Sequence, residues 1–312
     1  MADPVKVTEV AAAVIERPGG EFLLAQRPEG KPYPGYWEFP GGKIEPGEDA
    51  RAALARELKE ELDIDVRESS PWITRTYAYT HATVRLHFFR VSAWDGVPKP
   101  LEDQDIRWQR VGATDVTPML PANAPVLASL ALPAIMIVSN AQGTGVDRWI
   151  AKLAGRVVDE KVLVQVREKG ANAQQVQHVL SRVLAHAAPF GARVVVNSAN
   201  GHFPQCDGVH LTAAALMQSA ARPAGSLVGA SCHDERELDQ AGRIGLDYAV
   251  LGPVKATASH PGAAPMGWER FAALALDRAM PVYAIGGLTR GDLREARVHG
   301  AHGVALLGAA FD

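Results

Sequence analysis

Three glutamates, Glu57, Glu60 and Glu61, stand at i, i+3 and i+4 in a stretch rich in Ala and Leu. At helical spacing that pattern puts three carboxylates on one face, close enough to repel one another and to share a cation. Oxygen ligands of this hard type favour Mg²⁺, with Mn²⁺ as the alternative, over Zn²⁺. Arg56 gives Glu60 an i,i+4 partner, while Leu54, Leu58 and Leu62 form a separate apolar stripe for packing. Charge is distributed to match: residues 1 to 130 hold 15 Lys+Arg against 20 Asp+Glu, a net −5, and residues 131 to 312 hold 17 against 15, a net +2. The resulting net charge of −3 argues against a protein that grips nucleic acid polymers through their phosphates.

The 312 residues are twice the usual length of one domain, so two domains are expected. In the first, apolar runs at 7–15, 22–24, 72–79, 84–91 and 106–111 read as strands around one helix, predicted over 48–62. The Gly- and Pro-rich segment 41–47 reads as the loop feeding that helix. Prolines 118, 121, 125 and 133 surround a short terminal helix and a linker, which places the boundary at 130/131. Beyond it, eight short apolar runs alternate with helical stretches, at 135–138, 162–166, 194–196, 208–211, 227–230, 248–251, 282–285 and 304–307. Strands alternating with helices give a parallel sheet, and eight of them close as a (β/α)8 barrel. At this length its loops must be short and one or two helices reduced. The overall expectation is an α+β domain followed by an α/β TIM-type barrel. Two cysteines cannot build a disulfide framework, no leader-like start is visible, and the longest apolar run is well short of a bilayer span, which together point to the cytoplasm.

From Gly42, five residues lead to Glu48, seven more to Arg56-Glu57-Leu58, and Lys59, Glu60-Glu61, Leu62, Asp63 and Ile64 follow. This resembles the Nudix box at every fixed position but its final Gly, here Asp63. Asp is among the few residues that tolerate the left-handed backbone a helix end needs there, so a modest stability cost is expected. The resemblance implies a mixed sheet with helices on both sides and hydrolysis of a diphosphate linkage by water. Glu57, Glu60 and Glu61 with the Gly41 carbonyl would bind metal, Glu102 joining them from a loop, and Arg56 would support the set. The general base stays open between Glu60, Glu61 and Glu102. Residues 37–45 (WEFPGGKIE) and 120–126 (LPANAPV) also resemble the MutT-type 8-oxo-dGTP diphosphatases. That likeness implies that Asn123 reads the purine edge, Phe39 packs on the base and Arg27 contacts the nucleotide. Ala82 stands where those enzymes carry a further arginine, with His81 and Arg85 nearby.

Residues 131 to 312 resemble the thiamine monophosphate synthase and TenI barrels through 165–169 (QVREK), 208–211 (GVHL), 252–253 (GP) and 285–288 (IGGL). The likeness implies phosphate binding by Gly286-Gly287 and by Arg167 and Lys169. The synthase's magnesium carboxylates are missing: Asn197-Ser198 and Thr212-Ala213-Ala214-Ala215 stand in their places, and His260 replaces a loop lysine. A catalytically degenerate barrel is therefore expected. The resulting expectation is a Mg²⁺-dependent diphosphatase that takes a small nucleotide, with neither nucleic acid nor membrane as partner. The alternative is a thiamine-pathway protein that hydrolyses thiamine diphosphate analogues or makes thiamine monophosphate.

Overall fold

A computed structural model describes residues 7–80, 82–257 and 264–311. His81 and the loop bearing His260 lie outside the described residues. The chain divides into two compact units, Met1–Ala131 with Leu276–Ala279, and Leu132–Ala275 with Met280–Asp312.

The first unit is a mixed sheet. β1 (Val7–Arg17) runs parallel to β6 (Thr83–Asp95) and antiparallel to β2 (Glu21–Gln26) and β4 (Gly41–Lys43). β2 also pairs with β3 (Trp37–Glu38) and β7 (Ile106–Arg110), and β5 (Asp65–Ala78) closes the other edge against β6. Period-two alternation in β1 sends Ala11, Ala13 and Ile15 to one face and Ala12 and Val14 to the other. α1 (Ala50–Leu62) covers the first face with Leu54, Leu58 and Leu62, and α2 (Ala124–Leu130) covers the second with Val126 and Leu130.

Several elements differ from expectation, β3 among them, which no apolar run marks, and β6, which continues to Asp95. α1 starts at Ala50 rather than Glu48, because Asp49 caps it, accepting from the backbone N–H groups of Arg51 and Ala52. β5 begins seven residues before the apolar run, across a polar stretch containing Pro71. As an edge strand with register shifts it tolerates a proline and lacks regular alternation. Gly41–Lys43, expected as loop, is a strand, because pairing with β1 rather than side-chain pattern creates it. Asp63 does adopt the left-handed conformation, φ 55°, and its backbone N–H donates to Lys59 O.

The second unit is a closed parallel barrel of eight strands: β8 (Ile135–Val138), β9 (Val162–Val166), β10 (Arg193–Asn197), β11 (Gly208–Leu211), β12 (Leu227–Cys232), β13 (Tyr248–Leu251), β14 (Val282–Ile285) and β15 (Gly303–Leu306). Both faces of these strands are buried, which is why they read as unbroken apolar runs. Met136, Leu163, Val195, Tyr248 and Tyr283 fill the interior, while Ile135, Ile137, Val162 and Val164 pack outward. Economy shows in the connections: β10 leads to β11 through a 3-10 turn, Ser198–Asn200, and the helix after β11, Ala213–Gln218, has six residues.

Candidate active site

The pocket of the first unit, about 530 Å³, is lined by β1, β3, β4, α1 and the turn before α2. Glu57 and Glu61 reach its floor beside Gly41 and Gly42. Gly42 is the cradle for Glu57: a Cβ there would lie 2.1 Å from Glu57 Cδ. The Gly41 backbone N–H donates to Glu61 Oε2 at 3.2 Å. Glu61 is nearly buried, and desolvation pushes its carboxyl up to about 7, opposed by Lys31 and the Gly41 N–H and reinforced by Glu102 and Glu38.

Not all the glutamates converge. Arg56 binds Glu48 at 3.0 Å, Glu57 at 2.9 Å and Glu60 at 3.2 Å, and the exposed Glu60 carboxylate is not among the pocket-lining groups. Glu102 comes near the end of α1 because the segment 99–104 is stitched to it. Lys99 N–H donates to Leu62 O, Leu101 N–H to Glu61 O, and Gln104 Nε2 to Glu61 O. Its carboxylate pairs with Lys31 at 2.6 Å, and Lys31 lies 3.6 Å from Glu61. Among the described residues, no three His, Cys, Asp or Glu side chains are grouped as a metal site. The donor chemistry nevertheless fits a divalent ion: hard oxygens, a glycine cleared for one of them, and a buried carboxyl whose ionisation is costly without a cation.

Arg27, Phe39 and Asn123 line the same pocket. Arg27 is committed within the protein, its NH1 donating to both Glu38 oxygens at 2.6 and 2.7 Å and its Nε to Pro32 O. Burial raises the Glu38 carboxyl above its usual range, against the pull of Arg27. Phe39 is a core side chain whose ring meets Phe22 and Phe88, yet it also lines the pocket. Asn123 is buried and donates to Trp37 O rather than capping α2. Sequence reasoning passed over Lys31, Glu38, Tyr33 and Tyr79, which line the same pocket. Tyr33, at φ 61°, stands between Pro32 and Pro34 and just before Gly35.

In the barrel, Arg167, Lys169, Gly286 and Gly287 together line a cavity of about 860 Å³. Gly286 and Gly287 have φ of 106° and 63°, and a Cβ on either would meet Pro253 or Ala256 O within 2.5 Å. Neither position admits a side chain. The buried Glu168, accepting from the Ala141 and Gln142 N–H groups and from Ser139 Oγ, anchors the loop that carries Arg167 and Lys169. Among the described lining residues there is no Asp or Glu. The buried His210 bonds Tyr248 and the cavity-lining Ser231, and burial with the nearby Arg167 charge holds its imidazole down at about 3.

Among the described residues no helix is long and apolar enough to cross a membrane. The NUDIX domain profile matches residues 6–130 and the thiamine monophosphate synthase profile residues 135–310. A CTP pyrophosphohydrolase of Escherichia coli (strain K12) is 39% identical over 123 residues, 39% of this chain and 90% of that protein. An 8-oxo-dGTP diphosphatase of Haemophilus influenzae is 34% identical over 125 residues, 40% of this chain and 92% of that protein. A putative thiamine-phosphate synthase of Geobacter sulfurreducens is 32% identical over 184 residues, 56% of this chain and 84% of that protein. The chain therefore belongs to the Nudix family through its first unit, which makes it a hydrolase of phosphoanhydride bonds, and to the thiamine monophosphate synthase family through its barrel.

Proposed function

We propose that the first unit hydrolyses nucleoside triphosphates, with 8-oxo-dGTP as the preferred substrate, to the monophosphate and diphosphate. The observation that carries this reading is one pocket lined both by the carboxylates Glu57 and Glu61 and by Arg27, Phe39 and Asn123. Glu57, Glu61 and the Gly41 carbonyl, with Glu60 and Glu102 brought in, would hold Mg²⁺ or Mn²⁺, which supplies charge neutralisation at the phosphates and acidifies water. Arg56 aims the carboxylates of Glu57 and Glu60 through its guanidinium. The proton of the attacking water goes to Glu61, which lines the pocket and whose carboxyl burial raises to about 7. Asn123 offers its amide oxygen to the base edge, and Phe39 supplies apolar contact.

The barrel cavity is read as a phosphate-ligand site that performs no synthesis, with Arg167 and Lys169 as its cations. Its lack of lining carboxylates among the described residues supports this, because diphosphate departure needs a metal or equivalent charge there. The fusion itself favours the second reading, hydrolysis of a thiamine diphosphate analogue. Turnover of 8-oxo-dGTP, dGTP, CTP, ADP-ribose and thiamine diphosphate with Mg²⁺ separates these. Highest kcat/KM for 8-oxo-dGTP and loss of turnover with chelator are expected; preference for CTP or thiamine diphosphate overturns the substrate.

A further inference from the structure

Lys31 sits on the segment 27–36 between β2 and β3, which is folded back by its own hydrogen bonds. Arg27 N–H donates to Tyr36 O at 2.8 Å, Gly35 N–H to Arg27 O at 2.9 Å and Gln26 Nε2 to Gly35 O at 2.9 Å. This brings the ammonium to 2.6 Å from Glu102 Oε2 and 3.6 Å from Glu61 Oε1. Three separate pieces of chain thus meet at one charge. Arg56, beside the same helix face, is committed to Glu48, Glu57 and Glu60, and Arg27 to Glu38. Lys31 therefore faces Glu61 and Glu102, with Glu38 contributing further negative charge. One positive charge against two carboxylates leaves the cluster short by one, a deficit that a divalent ion closes. The lysine stem is flexible and its head partly exposed, so its departure requires no change in the sheet.

We propose that Lys31 is a built-in counter-cation, which holds Glu61 and Glu102 together in the metal-free protein and yields their oxygens to an arriving divalent ion. Metal affinity is then set by competition with the protein's own ammonium group. This rests on reading the carboxylate pocket as a cation site, and the test separates the two. Mn²⁺ is titrated into the full-length chain without nucleotide, the free ion being followed by its electron paramagnetic resonance signal, for wild type, Lys31→Met, Lys31→Gln, Lys31→Arg and Glu61→Gln. Removing two partly exposed ion pairs should tighten Mn²⁺ binding about fivefold in Lys31→Met and Lys31→Gln, while Lys31→Arg stays near wild type. Equal or weaker binding by both neutral variants, with Glu61→Gln still weakening it, overturns the competition alone. No Mn²⁺ bound by any of the proteins overturns the cation site and the competition together.

Discussion

Adjacent glycines at the pocket floor should respond to the same substitution in opposite ways. In Gly41→Ala the new Cβ would lie 2.1 Å from Ala11 O and 2.9 Å from Ala12 Cα, both backbone of the central strand, at a φ of 141° that alanine adopts with strain. Neither atom can yield without disturbing β1, so strain and overpacking together should cost about 3 kcal/mol or more. For a unit of this size that lowers the melting temperature by about 10 °C. In Gly42→Ala the Cβ would instead meet the far end of Glu57, 2.1 Å from Cδ and 2.4 Å from Oε1, where φ is unstrained. The side chain swings away at a folding cost below about 1 kcal/mol, but its carboxylate leaves the site, and a displacement of about 1 Å is worth roughly 100-fold in rate. That corresponds to about 2.7 kcal/mol of transition-state stabilisation. Calorimetric melting and steady-state kcat/KM on 8-oxo-dGTP check both variants. A Gly42→Ala protein with wild-type turnover, or one that melts as early as Gly41→Ala, would refute the assignment of that glycine as the cradle of Glu57.

Glu61 sets a pH dependence: its folded pKa, about 7, exceeds the ordinary 4.5, so metal-free stability falls as pH rises from 4.5 to 7. Glu61→Gln should remove this loss, worth on the order of 3 kcal/mol at pH 8, in denaturant titrations with chelator, and should reduce the stabilisation expected from added Mg²⁺. His210 works in the opposite direction. Its folded pKa of about 3 lies below the ordinary 6.5, so its contribution is whole above 6.5 and is lost as pH falls toward 3, on the order of 4 kcal/mol. His210→Gln should flatten that acid slope in thermal melts between pH 7 and 4. Asp63→Gly, which keeps the left-handed helix end while giving up ion pairs with Lys59 and Lys99, should leave turnover unchanged and shift the melting temperature by less than about 3 °C.

Features that depend on local periodicity and spacing are legible in the residues alone. Leu54, Leu58 and Leu62 define the buried stripe of α1, and Glu57, Glu60 and Glu61 the carboxylates of its other side. The eight barrel strands were legible because burial on both faces leaves unbroken apolar runs. Asp63 could be assigned its backbone conformation because few residues adopt it. Tertiary structure decided everything that depends on long-range pairing. Gly41–Lys43 becomes a strand only against β1, and β5 extends through Pro71 only because it lies at an edge. It also decided which glutamates face the pocket. Helical spacing makes Glu57, Glu60 and Glu61 equivalent neighbours, whereas in the fold Gly42 admits Glu57, Glu61 lines the pocket beside it, and Glu60 stays exposed with Arg56 as its partner. Lys31 and Glu102 are 71 residues apart in the chain, and no local pattern joins them. Their meeting depends on chain closure around the sheet, where the energy of a contact is set by what surrounds it rather than by what precedes it.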